Sequence, residues 1–142
     1  MRPLHRAGRR RWAALLPAVV LVLALSGLSA GCSSTPAYCT DASQLKTDVQ
    51  NLGNVDVATN GLDSLQTALS KVQADATMFA TDAKSSFPSQ TAALNSAVSG
   101  LKTAITSAKG QAPATAATAV VSSVAQVKSS ASDLQSAISS SC

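Results

Sequence analysis

The chain has 142 residues, a formal net charge of +4, 13% charged residues and a single histidine. All five arginines and the histidine lie within the first 11 residues, whereas residues 32–142 hold six lysines and seven aspartates, a formal charge of −1. Because a nearly neutral body cannot neutralise a phosphate backbone, this composition excludes nucleic acid as a partner.

Residues 1–31 have the pattern of a secretory signal peptide. A basic start without acidic residues is followed by an apolar stretch of 13 residues, Ala13 to Leu25, and then by small residues. A helix that crosses a bilayer needs about 20 apolar residues, so this stretch is too short to remain as a transmembrane helix. We expect residues 1–31 to be removed on export.

The segment Leu28-Ser29-Ala30-Gly31-Cys32 resembles the lipobox of bacterial lipoproteins, in which the chain is cut before the cysteine and the cysteine is acylated. The resemblance implies palmitate-type lipidation at Cys32. It also implies attachment to the extracytoplasmic face of the cell membrane. The alternative is ordinary cleavage after Ala30, which leaves Cys32 as a free thiol.

Two cysteines, Cys39 and Cys142, remain when Cys32 carries the lipid. Export places them in an oxidising compartment, so we predict that they form a disulfide. Neither a metal site nor a redox-active pair is expected, because residues 32–142 contain no histidine and no Cys-x-x-Cys motif.

The body, residues 32–142, has 111 residues, enough for one domain, and holds 21 Ala, 20 Ser and 12 Thr. Its apolar residues recur in alternating steps of three and four, within Val55–Ala83, Leu94–Ala108 and Ala117–Ile138. This spacing, close to 3.5 residues per turn, is typical of coiled-coil-like helices and argues against a sheet.

Breaks between these stripes divide the body into helices. Phe87-Pro88 separates the first stripe from the second, and Gly110 with Pro113 separates the second from the third. We predict an all-α, up-down bundle that is stapled by the disulfide. Three long helices span residues 59–86, 88–109 and 114–140, after a short helix at 41–52.

Two local signals refine these boundaries. Asp41, with Gln44 three residues later, is expected to cap the short first helix. Asn60-Gly61 is expected to begin or interrupt the second helix.

The predicted disulfide constrains the orientation of the domain relative to the predicted lipid anchor. Cys39 and Cys142 must meet at the end of the bundle that carries the Phe87-Pro88 turn. Residues 53–58 are then expected to run along the bundle as a connector instead of forming a tight turn. Residues 32–38 form a lipidated tether that reaches little more than about 20 Å, and residues 39–142 form the bundle. The end of the bundle that carries the disulfide is therefore predicted to face the membrane.

Other candidate sites have simple structural interpretations. Met78, Phe79 and Phe87 resemble a hydrophobic ligand patch, but residues of these types at helical spacing are more often core. Tyr38 is expected to pack over the disulfide. Lys71 and Asp75 are expected to form a solvated surface pair. The remaining aspartates are expected to lie on a solvent-exposed face.

The residue inventory does not favour catalysis or a cofactor. Residues 32–142 lack histidine and glutamate, the serines have no nucleophile elbow, and there is no glycine-rich phosphate loop. We therefore expect no enzymatic activity and no bound cofactor.

The lipobox and the Ala/Ser-rich helical body together resemble the small lipoproteins of high-GC Gram-positive bacteria (actinobacteria), many of which have no assigned activity. The resemblance implies a lipid-anchored cell-envelope protein with a non-catalytic interaction or structural module, and a partner within the envelope. Two alternatives remain. One is a binding or sensor module that holds a small apolar ligand between its helices. The other is partial disorder.

Overall fold

The computed structural model describes residues 35–83 and 85–142, and it contains four α-helices and no strand within those ranges. We number the helices in chain order, as α1 (Ala37–Gly53), α2 (Val57–Ala83), α3 (Pro88–Ala108) and α4 (Pro113–Ile138). The predicted all-α class and the division into four helices are therefore confirmed. The signal peptide, the lipobox and Cys32 lie outside the described residues.

The first helix differs most from its prediction. It has 17 residues and starts at Ala37, four residues before the predicted start. Pro36 precedes it, and its carbonyl accepts a hydrogen bond from the Cys39 amide at 2.9 Å. The prediction that Asp41 caps this helix is wrong, because Asp41 lies one turn inside it.

The turn from α1 to α2 is short. It comprises residues 54–56, so the prediction that residues 53–58 run along the bundle as a connector is wrong. A helix of 17 residues is about 25 Å long, and α1 therefore covers that distance by itself. Asp56 provides the cap that sequence analysis missed. Its carboxylate accepts hydrogen bonds from the Thr59 amide at 3.1 Å and the Thr59 hydroxyl at 2.7 Å.

Gly61 interrupts α2, as its sequence context predicted. Its φ of 76° lies in the left-handed region, which glycine adopts without the penalty that a Cβ atom would impose. This kink shifts the helical register of the residues before it. Val57 is buried and Ala58 is exposed, the reverse of the apolar stripe that counts through the kink.

Proline begins each of the last two helices, at Pro88 and at Pro113, where its missing N–H removes no helical hydrogen bond. The turn between α3 and α4 contains Gly110 with a φ of 84°. Helix α2 ends at Ala83, three residues before the predicted end, and the α3 and α4 boundaries lie within two residues of their predictions.

Short turns make successive helices antiparallel, and the contacts define a bundle with a rhombic cross-section. Helices α1 and α3 each pack on both α2 and α4, and α2 also packs on α4. The core is built from one apolar stripe per helix. Its largest fully buried side chains are Leu45, Leu52, Leu65, Val72, Phe79, Leu94, Leu101, Val120, Val127 and Leu134.

Residues 35–142 form one compact unit, and the buried apolar side chains described within that range form one core cluster. This unit therefore has a hydrophobic core of its own. None of the described helices combines the length and the apolar character that a bilayer span requires.

Candidate functional site

The predicted disulfide between Cys39 and Cys142 is present, with a Cα–Cα distance of 5.7 Å. Cys39 lies in the first turn of α1, and Cys142 lies four residues beyond the end of α4. The bond therefore fixes the start of the first helix to the end of the last. The lipidation residue Cys32 and the lipobox residues Leu28 to Gly31 lie outside the described residues, so their roles stay predictions.

An aromatic cluster lies beside the disulfide. Tyr38 packs its ring edge-on against Phe79 and Phe87, with centroid distances of 6.2 and 5.6 Å, and Phe79 and Phe87 are 6.1 Å apart. Because Tyr38 directly precedes Cys39, these contacts place the disulfide at the same end as the Phe87-Pro88 turn, which confirms that prediction. We call this the stapled end.

The residues considered for a ligand patch are divided by the structure. Phe79 is fully buried and Phe87 is half-buried against the core, as predicted. The expectation that Met78 is a core residue is wrong, because its side chain is 48% exposed. A single exposed methionine does not form an extended apolar surface.

Aspartates lie in the seam between α1 and α2, which sequence analysis did not predict. Asp48 of α1 and Asp75 of α2 are only 8% and 5% exposed, and they are the buried charged residues of the described chain. Their carboxyl groups lie within hydrogen-bonding reach of each other. The prediction that Asp75 forms a solvated surface pair with Lys71 is therefore wrong. The prediction that the remaining aspartates lie on a solvent-exposed face is wrong for Asp48.

A second acidic pair lies nearer the stapled end. Asp41 of α1 is half-buried and Asp82 of α2 is exposed, and their carboxyl groups are also close enough to hydrogen bond. Asp41 precedes Asp48 by seven residues and Asp75 precedes Asp82 by seven. Residues seven apart share one helix face, so this spacing is the sequence signal that could have located the seam.

The seam raises the pKa of Asp75 and of Asp41. Burial, followed by the hydrogen bond and charge of Asp48 and the charge of Asp41, raises the pKa of Asp75 to about 6. Partial burial and the neighbouring Asp82 raise the pKa of Asp41. Asp56 shows the opposite effect, because hydrogen bonds from Thr59 stabilise its charged form and lower its pKa.

The partners of Asp48 leave it only weakly compensated. The side-chain amides of Gln44 and Asn51 donate to its two carboxylate oxygens, at 3.5 and 3.4 Å. These distances are longer than a charge-assisted hydrogen bond normally shows. The Oδ2 atoms of Asp41 and Asp75 are buried and have no hydrogen-bond partner.

The cavities that line this domain are grooves between helices. A groove of about 340 Å³ between α1 and α4 is lined by Lys46 and Lys128, among others. Another, of about 270 Å³ between α2 and α3, is lined by Lys102 and Lys109 together with glutamine, serine and threonine side chains. Both linings mix apolar side chains with lysines and other polar residues, so neither groove is the predominantly apolar, enclosed pocket that a small apolar ligand favours.

No group of three or more histidine, cysteine, aspartate or glutamate side chains in residues 35–83 and 85–142 is arranged to hold a metal ion. The chemistry that the seam offers is proton binding by paired carboxyl groups. No protein-family model matches the chain, and neither a curated protein nor a solved structure matches it.

Proposed function

We propose that this chain is a lipid-anchored protein of the bacterial cell envelope. In this proposal its helical bundle is a non-catalytic interaction or structural module on the extracytoplasmic face of the membrane. The observation that carries the proposal is the lipobox-like segment ending at Cys32, which is followed within a few residues by a folded domain.

The position of α1 supports a short attachment. Because α1 begins at Ala37, only residues 33–36 separate Cys32 from the first helix. Four residues extend over at most about 14 Å, which is less than the length of α1 itself. The domain would therefore lie close to the lipid surface.

The disulfide supports a defined orientation. It holds Cys39 and Cys142 at the stapled end, so the start of α1 and Cys142 lie together. The turn that contains Gly110 lies at the opposite end of the bundle. In the proposed arrangement the stapled end faces the membrane and this turn is the part of the domain farthest from it.

Metabolic labelling with palmitate in an expressing bacterium tests the anchor. The wild-type protein is expected to incorporate label and to fractionate with membranes, whereas Cys32→Ala is expected to lose both properties. Cys142→Ala is the matched control, because it also removes a cysteine but is expected to retain the label. An unlabelled wild type, or a labelled Cys32→Ala variant, would refute the proposal.

The interaction role needs a separate test in intact cells. A photo-crosslinking amino acid at Val121, which is 61% exposed on α4, is expected to give a discrete adduct with an envelope protein. An excess of purified domain, added from outside, should compete for the partner and reduce that adduct. If scanning exposed positions of all four helices gives no adduct that the domain competes away, the interaction role is wrong.

A further inference from the structure

The seam between α1 and α2 carries four carboxyl groups in two facing pairs. Each helix contributes two aspartates that are seven residues apart, so that Asp48 faces Asp75 and Asp41 faces Asp82. The inner pair is buried, at 8% and 5% exposure. Two carboxylates that are both ionised and both removed from water repel each other and lose hydration, which makes this arrangement costly at neutral pH.

One proton removes most of this cost. A protonated carboxyl group has an O–H donor, and the ionised carboxylate opposite accepts it. Asp75 is placed to provide this donor, because its buried Oδ2 atom has no hydrogen-bond partner and the carboxyl group of Asp48 faces it. The amides of Gln44 and Asn51 donate to the two carboxylate oxygens of Asp48, so this side chain already acts as a hydrogen-bond acceptor.

Among the described residues, the charged groups that act on Asp75 are aspartates and none is a cation. Asp41 faces the pair from α1, and Lys71, one turn before Asp75 on α2, is exposed. The charged residues of α3, of α4 and of the turn between them are also exposed, and they are Lys102, Lys109, Lys128 and Asp133. The three lysines line grooves on other faces of the bundle.

We propose that Asp48 and Asp75 share one proton and make the α1–α2 seam a pH-sensitive clamp. With the proton bound, the two carboxyl groups hold α1 against α2. When the proton leaves, two buried negative charges face each other and the seam weakens. This proposal does not depend on the lipid anchor.

The direction of the pH effect follows from the pKa of Asp75, which is about 6 in the folded domain and 3.8 ordinarily. The folded state binds the proton more tightly than the unfolded state. The contribution of the pair is therefore fully present below pH 3.8 and is lost as the pH rises through about 6.

Urea unfolding of residues 35–142, followed by circular dichroism between pH 4.5 and 7.5, tests the clamp. The unfolding equilibrium constant of the wild type is expected to rise on the order of 30-fold across this range. Asp75→Asn, which is neutral at every pH, should remove most of this rise and should be more stable than the wild type at pH 7.5. A chelator in the buffer keeps divalent cations from bridging the pair.

Two comparisons make the result specific. Asp63→Asn changes an exposed aspartate of the same helix and should keep the pH dependence of the wild type. Asp48→Asn should lose it, as Asp75→Asn does. A pH-independent wild type, or an Asp75→Asn variant that keeps the full dependence, overturns the proposal.

Carbon-13 NMR of the carboxyl groups gives a readout that requires no variant. The Asp75 signal of the oxidised wild-type domain is expected to titrate near pH 6. If no aspartate of the domain titrates above pH 5, the clamp does not exist, even where an Asp75→Asn variant fails to fold.

Discussion

Removal of the disulfide should strongly destabilise the domain. The bond links residues 103 apart in sequence and so closes nearly the entire domain into one loop. The chain-entropy relation assigns about 4.7 kcal/mol to a loop of this length, and native-state relaxation reduces such values in practice. We expect Cys39→Ala combined with Cys142→Ala to lower the free energy of unfolding by about 3–5 kcal/mol.

Urea unfolding of residues 35–142, monitored by circular dichroism at one fixed pH, measures this loss. The reduced wild-type domain is the matched control, because it opens the loop without changing a side chain. Agreement between the reduced wild type and the double variant would assign the loss to the cross-link. A loss below about 1 kcal/mol in both would refute the reasoning, since it would mean that the four-helix core alone holds the ends of α1 and α4 together.

Three further predictions concern individual side chains and use the same unfolding assay. Phe79→Ala should lower the free energy of unfolding by about 3–5 kcal/mol because the ring is fully buried in the aromatic cluster. Met78→Ala changes the neighbouring but exposed residue and should alter stability by less than about 0.5 kcal/mol, so equal losses would contradict this packing. Gly61→Ala should destabilise by about 1–2 kcal/mol because its φ is 76°, whereas Gly100→Ala, within α3 and in open space, should stabilise by about 0.5–1 kcal/mol; the opposite order would show that the kink is absent. Asp56→Ala should lower the unfolding midpoint at pH 7 by removing the cap of α2, and the difference from wild type should shrink as the pH falls through the lowered pKa of Asp56; a difference that does not change with pH would exclude this charged cap.

The number of helices and their order could be predicted because the determining signals are local. Pro88 and Pro113 each begin a helix, and Gly110 lies in the turn between α3 and α4. The start of α1 could not be placed in this way. Asp41 followed by Gln44 has the sequence of an N-terminal cap, but Pro36 precedes the helix and Asp41 faces α2 instead.

The acidic seam was missed for a different reason. A scan for apolar periodicity assigns charged residues to the solvent face, and aspartate is rarely buried without a partner. The spacing of seven within Asp41 and Asp48 and within Asp75 and Asp82 repeats the period of the core stripe. That repetition predicts which face the aspartates share on each helix. Which two faces meet depends on the antiparallel pairing of α1 with α2, which no single helix specifies.

The way in which α1 is fixed explains how the domain retains an unfavourable seam. At one end the disulfide holds Cys39 to Cys142, and at the other the short turn of residues 54–56 leads directly into the capped start of α2. Leu45 and Leu52, both buried, hold the helix against the core between these ends. Repulsion between Asp48 and Asp75 can therefore strain the middle of α1, but it cannot detach the helix. Because both ends of α1 are fixed and the unfavourable Asp48–Asp75 contact lies between them, a single proton can change local packing while the fold persists.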